Sequence, residues 1–240
     1  MKKPFLTSAI IASYLLCDSF SPLSSVSGPN NIEPQTSSQK LNLLYNPPPQ
    51  RKQPKATQRS GSGSRSRCQA TNLPQILIAP AFHTGQTSQS HPSFSVYFPE
   101  VPQLPVSVSV EDPKNQKDVW LSEISVKKAG ITTFRLPSYV SGLEIGKEYI
   151  WTVALICERR NRLQDIYAEA SIERIEISEK LKQKLSTAPN PQSLAAILAS
   201  EGLFYDTLNQ INKISTTTER NALLNSLLEQ INLVGVVSIK

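Results

Sequence analysis

The sequence has few of the residues on which most catalytic and metal sites depend. It contains two histidines and three cysteines, and no CxxC pair occurs. It also lacks GxSxG, HExxH, Walker and dinucleotide-binding glycine motifs. These absences argue against the common hydrolase, metalloprotease, nucleotide-binding and dehydrogenase classes. We therefore expect no catalytic residues, no cofactor and no metal site.

Long apolar segments are also lacking, apart from one short run near the N-terminus. Lys2 and Lys3 precede an apolar run over 5–17, and small residues follow over 19–28. A membrane-spanning helix needs about 20 apolar residues. The layout therefore favours a secretory signal peptide over 1–27, with an uncleaved anchor or a buried helix as the alternatives. We expect a periplasmic or extracellular protein that keeps no membrane span after cleavage.

The net charge of +6 comes from one short segment rather than from the whole chain. Six cations lie within 51–67, whereas 68–240 contains 16 basic and 17 acidic residues. Because the part expected to fold is nearly neutral, we expect no nucleic-acid binding. The cations of 51–67 are expected to belong to a solvated tether, with weak contact to an anionic surface as the alternative.

Residues 28–67 have the composition of a linker. Three consecutive prolines occupy 47–49, Pro54 follows, and serine alternates with glycine over 60–64. Such mixtures of stiff and flexible residues are typical of spacers. We expect a disordered basic linker over 28–67.

Apolar and polar residues alternate along much of 76–177. The clearest runs cover 94–98, 106–110 and 149–157, and turn residues separate them. Successive side chains of a strand point to opposite faces, so each run buries one side. About seven strands are predicted, a number that favours an immunoglobulin-like antiparallel β-sandwich over 68–177.

Two local patterns refine the strand prediction. Leu143, Gly146 and Tyr149 have the spacing of the turn and tyrosine corner that precede a late strand of such sandwiches. The apolar phase changes at Glu173 and Arg174. An inserted residue there would keep both apolar sets facing inward, so the pattern predicts a β-bulge.

The hydrophobic period becomes helical after the last predicted strand. Ser178, Asn190 and Thr216 are suitable N-caps, and Thr216 forms a capping box with Glu219. Leucines and isoleucines at helical spacing follow these caps. We expect a small helical C-terminal region over 178–240, attached to the sandwich.

Two cysteines follow the predicted signal peptide. Cys68 precedes the first strand, and Cys157 ends the longest predicted strand on its inward face. In an oxidising compartment, an even pair in a small β domain favours a structural disulfide. Two free thiols or a metal pair are the alternatives, and the absence of a CxxC pair weakens the second.

The remaining polar residues have simple structural interpretations. His83 and His91 lie in a loop with no carboxylate before Glu100, so zinc would lack the three or four ligands that it needs. Glu169 and Glu173 alternate with apolar residues of the last strand. We expect them to face solvent rather than to form a glycosidase pair.

Four motifs, in a fixed order, carry a family resemblance. They are Ser90-His91-Pro92-Ser93-Phe94-Ser95-Val96-Tyr97-Phe98-Pro99, Leu143-x-x-Gly146-Lys147-x-Tyr149-x-Trp151, Tyr167-x-Glu169-x-x-Ile172-x-Arg174 and Glu201-Gly202-Leu203-Phe204-Tyr205-Asp206-x-Leu208. The arrangement resembles a family of exported cyanobacterial proteins catalogued as domain of unknown function 928. That family has no assigned activity or ligand, so the resemblance implies export and domain layout but no mechanism.

These observations predict an exported, non-catalytic module whose partner is an unidentified protein of the cell envelope. A carbohydrate-binding module is the first alternative, with Tyr97, Tyr139 and Tyr167 as the aromatic candidates. An enzyme of unrecognised type is the second, and it would require a concave pocket with convergent polar groups.

The predicted disulfide can be tested on the exported protein. Its mass without reductant should be lower by the two thiol hydrogens, and digestion should release a peptide pair linked through Cys68 and Cys157. The bridge should stabilise the fold by up to about 4–5 kcal/mol, so replacing both cysteines by serine should lower the urea midpoint. Two alkylatable thiols in the native protein would contradict the bridge.

Overall fold

Strands form where the sequence alternates, and helices follow them. The structure, a computed structural model, describes residues 43–49, 53–56, 58–61 and 75–237. The strands are β1 (Ile76–Leu77), β2 (Gly85–Thr87), β3 (Ser93–Phe98), β4 (Val106–Asp112), β5 (Lys117–Ile124), β6 (Gly130–Arg135), β7 (Glu148–Leu155) and β8 (Ile166–Arg174). The helices are α1 (Glu179–Ser186), α2 (Pro191–Ser200), α3 (Phe204–Ile211) and α4 (Thr217–Gln230).

The strands form two sheets. A three-stranded sheet has the order β1-β3-β6, and a five-stranded sheet has the order β2-β8-β7-β4-β5. Neighbours are antiparallel except β2 and β8, which run parallel. The described part of the chain is thus mostly β, without a closed barrel, and its helices lie at the C-terminal end. The alternation pattern did not predict β2, because its three residues are too few to show alternation.

The inward residues of both sheets share one hydrophobic core. Phe94 of β3 packs against Trp151 of β7, with ring centroids 4.9 Å apart. Phe134 of β6 lies 6.0 Å from Trp120 of β5. Burial of these rings supplies much of the driving force for packing the sheets together, since large aromatic side chains dominate core energetics.

Helix α3 is bound to this core through Tyr205. The hydroxyl of Tyr205 accepts a hydrogen bond from Nε1 of Trp151 at 2.8 Å and donates to the carbonyl oxygen of Ser171 at 3.0 Å. Burial raises the pKa of Tyr205 above its ordinary value, so the group stays a neutral hydroxyl. These two hydrogen bonds connect α3 to β7 and β8.

The residue after Tyr205 adds a second connection. Asp206 accepts hydrogen bonds from the hydroxyl of Thr87 at 2.5 Å and from the backbone nitrogen of Ser88 at 2.9 Å. Burial raises the pKa of Asp206, and the hydrogen bonds from Ser88 and Thr87 oppose that shift. The carboxyl group therefore fixes the start of α3 to the end of β2.

Two of the three predicted helix caps are confirmed. The Ser178 side chain accepts from the backbone nitrogen of Leu181, and Asn190 accepts from that of Ser193. The prediction of a capping box at Thr216 is wrong, because the Thr216 side chain makes no capping hydrogen bond. Its partner Glu219 instead accepts from Nε2 of Gln192 in α2 at 2.8 Å.

The predicted β-bulge at residues 173–174 is also wrong. The pairing of β7 with β8 runs without a shift as far as Glu173, and β8 then ends. Ile175 and Ile177 change phase because they leave the sheet and pack in a separate cluster with α1 and α2. A register shift does occur elsewhere, after Val110, between β4 and β5.

The first described stretch of the predicted linker packs on the helices. Leu43 and Tyr45 are buried, and the Leu43 carbonyl oxygen accepts from Nε2 of Gln230 at 2.7 Å. The Asn46 nitrogen donates to the Ala199 carbonyl oxygen. Gly202, with φ +79°, follows α2, and a Cβ there would lie 2.9 Å from the Asn46 carbonyl oxygen. Docking of this stretch therefore needs glycine at the α2–α3 turn.

Other stretches of the predicted linker bind the sheets. The Gln58 carbonyl oxygen accepts from the Glu169 nitrogen at 2.7 Å, and that of Arg59 accepts from the Leu77 nitrogen at 2.8 Å. A disordered linker therefore does not describe residues 43–49, 53–56 and 58–61. The rest of 28–67, the predicted signal peptide and Cys68 lie outside the described residues.

No helix in the described part of the chain has the length and apolarity that crossing a membrane requires.

Docking of the first stretch can be tested with two adjacent leucines. Leu43 is 3% exposed and Leu44 is 64% exposed. Leu43→Ala should lower the free energy of unfolding by about 2–4 kcal/mol, and Leu44→Ala should change it by less than about 0.5 kcal/mol. Urea unfolding measures both values. Equal small effects would show that the stretch is not docked in solution.

The Tyr205 hydrogen bonds can be tested by removing one oxygen atom. Tyr205→Phe leaves the buried Trp151 Nε1 without an acceptor and should cost about 1–3 kcal/mol of unfolding free energy. Tyr139 is exposed, so Tyr139→Phe is the matched control and should be nearly neutral. A neutral Tyr205→Phe variant would contradict the proposed role of the hydroxyl.

Candidate functional site

A cleft of 680 Å³ lies between the three-stranded sheet and α4. Its lining residues come from β3, the start of β6, the end of α3 and α4. They are Tyr97, Pro99, Ala129, Gly130, Ile131, Thr133, Asn212, Arg220, Asn221 and Leu224. The volume is within the range of ligand sites, roughly 300–1,000 Å³.

Strand alternation determines which residues reach the cleft. Phe94 and Phe134 point into the core, so their neighbours in β3 and β6 point to the opposite face of the sheet. Tyr97 pairs with Ile131, and both line the cleft on that outer face. Leu224 of α4 completes the apolar part of the lining.

A connected polar group joins the sheet to α3 in the cleft. The hydroxyls of Ser95 and Thr133 lie 2.8 Å apart across the β3–β6 pair. Asn212 donates from Nδ2 to the Thr133 hydroxyl at 3.2 Å and to that of Ser95 at 3.4 Å. The carbonyl oxygen of the Asn212 side chain has no hydrogen bond to another described residue, so it can accept one from a ligand.

Arg220 is the one charged side chain among the described residues that line the cleft. Its guanidinium donates to the Ile214 carbonyl oxygen at 3.3 Å and to the Thr217 hydroxyl at 3.4 Å. Both distances are long for hydrogen bonds that a nitrogen atom donates. In the described part of the chain no carboxylate pairs with Arg220. A guanidinium carries five N–H donors, so Arg220 can bind an anionic or carbonyl oxygen.

Strand β6 borders the cleft and forms an edge of its sheet. It pairs with β3 on one side, and no described strand pairs with its other side. Its inward residues Thr132 and Phe134 are only half-buried. The facing residue Trp120 is 8% exposed, and its Nε1 has no hydrogen-bond partner among the described residues. Thr132 and Phe134 therefore keep some exposed surface at this edge, whereas Trp120 is buried.

The two histidines are structural rather than exposed loop residues. His83 is buried, and its Nε2 lies 2.7 Å from the Tyr45 hydroxyl. Nε2 of His91 lies 3.1 Å from the Val140 carbonyl oxygen. Within the described ranges, no three His, Cys, Asp or Glu residues are grouped so that they could hold a metal ion. Glu100 is exposed on the chain after β3.

The prediction that both strand glutamates face solvent is wrong for one of them. Glu173 is buried, and its Oε2 accepts from Nε2 of Gln86 at 3.3 Å because β2 covers this end of β8. Glu169 is half-buried, and burial raises its pKa, with a smaller contribution from Glu111. Both carboxylates lie in the five-stranded sheet, whereas the cleft lies on the three-stranded sheet.

The three tyrosines considered for carbohydrate binding are spread over different elements. Tyr97 lies in β3, Tyr139 follows β6, and Tyr167 lies in β8 of the other sheet. Tyr97 is buried, and the other two are exposed. The pairing of Cys157 with Cys68 stays a prediction, because Cys68 lies outside the described residues.

Sequence reasoning missed the cleft residues Asn212, Arg220 and Asn221. They are ordinary polar residues at the end of α3 and near the start of α4. Only the position of α4 across the cleft from β3 and β6 brings them to one site. Ser95 and Thr133 gave no distinct signal, because β3 and β6 carry other polar residues, Ser93 and Arg135, on the same outward face.

One comparison with known proteins bears on the whole domain. A family model described as Domain of Unknown Function (DUF928) matches residues 60–239. A search of curated proteins found no match.

Proposed function

Because the chain belongs to the family described as Domain of Unknown Function (DUF928), we propose its function from the cleft itself. The protein is an exported, non-catalytic module that holds an extended segment of a cell-envelope protein between β6 and α4. The observation that carries this proposal is the position of the cleft beside β6, whose outer edge pairs with no described strand. Export depends on the signal peptide expected at residues 1–27.

The proposed scaffold is an immunoglobulin-like sandwich. The order β8-β7-β4-β5 corresponds to the G-F-C-C′ sheet of that fold, and β1-β3-β6 corresponds to strands A, B and E. The Tyr149 hydroxyl accepts from the Glu144 nitrogen at 3.0 Å, as in a tyrosine corner at the start of strand F. In this scaffold β6 is strand E, and no described strand occupies the neighbouring position of strand D.

The composition of the cleft suits a peptide segment. The half-buried Ile131 offers an apolar contact, and Asn212 and Arg220 offer a hydrogen-bond acceptor and donors. Peptides that add to a sheet edge gain affinity from main-chain hydrogen bonds and specificity from pockets for alternate side chains. A cleft on one face of an unpaired strand provides both features.

A carbohydrate module has less support. Such modules stack sugar rings on exposed aromatic side chains, and Tyr97 is the one tyrosine in the described lining of the cleft. Because Tyr97 is buried, it offers little open ring surface to a sugar.

Site-specific crosslinking in the native cell tests the proposal. A photoreactive amino acid at Thr133, an exposed lining residue, should form a discrete adduct with an envelope protein. Leu163 is 93% exposed and lies between β7 and β8, so the same probe there is the control. We expect the Thr133 adduct to exceed the control by about tenfold, because direct contact places the probe against the partner.

Two results would contradict the proposal. One is an identical set of adducts from both positions, which would indicate random collision. The other is an intact N-terminus on protein recovered from the cell interior, which would contradict export.

A further inference from the structure

The outer edge of β6 has the properties of a strand-accepting surface. Six residues, Gly130–Arg135, pair with β3 on one side and with no described strand on the other. Alternate backbone N–H and C=O groups of such a strand point away from the sheet and can pair with another strand. Natural edges are often blocked by proline, by inward-pointing charge or by a covering helix. Within Gly130–Arg135 there is no proline, and the inward residues are Thr132 and Phe134.

In the described ranges, the core beside β6 lacks one strand of cover. The three-stranded sheet faces a five-stranded sheet, so no described strand lies opposite β5 at the edge of the larger sheet. Phe134 of β6 and Trp120 of β5 meet at this open side. A strand added to β6 would extend the smaller sheet over β5. It would bury the remaining surface of the half-buried Phe134.

Charges around this edge are predominantly positive. Arg220 lines the cleft without a carboxylate partner among the described residues. Lys127 and Lys128 are exposed immediately before β6, and Arg135 is exposed at its end. Glu100 and Glu219 are the acidic residues nearest to the lining along the chain, since they adjoin the lining residues Pro99 and Arg220. Glu219 already accepts a hydrogen bond from Gln192.

This charge pattern selects among possible occupants. A second copy pairing through β6 would bring two sets of these cations together, and like charges across a pairing are destabilising. A segment with acidic residues would instead be attracted at every one of these positions. A carboxylate can accept two parallel hydrogen bonds from a guanidinium, which is the strongest polar contact that Arg220 can make.

We infer that the occupant of the cleft is an acidic, extended segment of a partner protein that adds to β6 as a strand and places one carboxylate on Arg220. This inference rests on the proposed function and specifies the chemistry of the partner. Side chains that alternate along the added strand face the cleft on one side and the open core at Trp120 and Phe134 on the other.

Three synthetic peptides serve as probes. Each is about ten residues long, enough for a full strand, and alternates threonine with valine. The peptides differ at one central position, which is Glu, Gln or Lys. Binding is measured by fluorescence anisotropy on the full chain, and protection of β6 amides is measured by hydrogen exchange. The Glu peptide should protect outward-facing β6 amides and bind about tenfold more tightly than the Gln peptide.

Variants of two arginines test whether Arg220 causes the preference for the Glu peptide over the Gln peptide. Arg220→Gln should remove the difference between the Glu and Gln peptides, and Arg220→Lys should retain part of it, since the charge remains but the paired donors are lost. Arg160 is an exposed arginine in the turn after β7. Arg160→Gln is the matched control and should keep the full tenfold preference.

The outcomes separate this inference from the proposed function. Equal binding of the Glu and Gln peptides with β6 protected would overturn the role of Arg220 and leave the peptide cleft intact. Loss of the preference in Arg160→Gln would overturn it as well. Peptide binding without protection of β6, or dimerisation through β6 in sedimentation, would overturn strand addition. The Thr133 crosslink remains a separate test of the proposed function.

Discussion

The hydroxyl of Tyr205 is the contact on which the arrangement of helices over sheets depends. It accepts from Trp151 in β7 and donates to the Ser171 carbonyl oxygen in β8. Because the group is fully buried, Trp151 Nε1 and the Ser171 carbonyl oxygen would each lose their hydrogen bond to Tyr205 if α3 moved away. The position of α3 in turn determines where Asn212 meets Thr133 and where α4 covers β3 and β6. The geometry of the cleft is therefore fixed from the opposite side of the core.

Features whose physical cause lies within a few residues could be predicted from the sequence. The caps at Ser178 and Asn190 and the hydrogen bond from Glu144 to Tyr149 each join groups three to five residues apart. Features that depend on distant partners could not. Thr216 and Glu219 have the right spacing for a capping box, yet Gln192 of another helix competes for the carboxylate. Residues 43–49 have the composition of a spacer, but Leu43 and Tyr45 find a hydrophobic surface on the helices.

The candidate site is the least predictable part for the same reason. Its residues come from β3, β6, α3 and α4, and none of them forms a motif. The sequence supported the class of binding module mainly through what it lacks, since it contains no catalytic or metal-binding pattern. An unpaired edge cannot be read from one strand, because β6 shows the same alternation that a central strand would show. It becomes visible only when the order of all the strands is known.

Local rather than overall charge governs the properties of this site. Residues 68–240 carry one more acid than base, so the folded region exerts little long-range attraction on an acidic partner. At physiological ionic strength charges are screened beyond about 8 Å. The cations near β6 therefore act on a segment only once it is close to the edge. If a segment adds to β6 as proposed, its recognition depends on the match between backbone pairing and the position of a carboxylate, because neither weak strand pairing nor one exposed ion pair is sufficient alone.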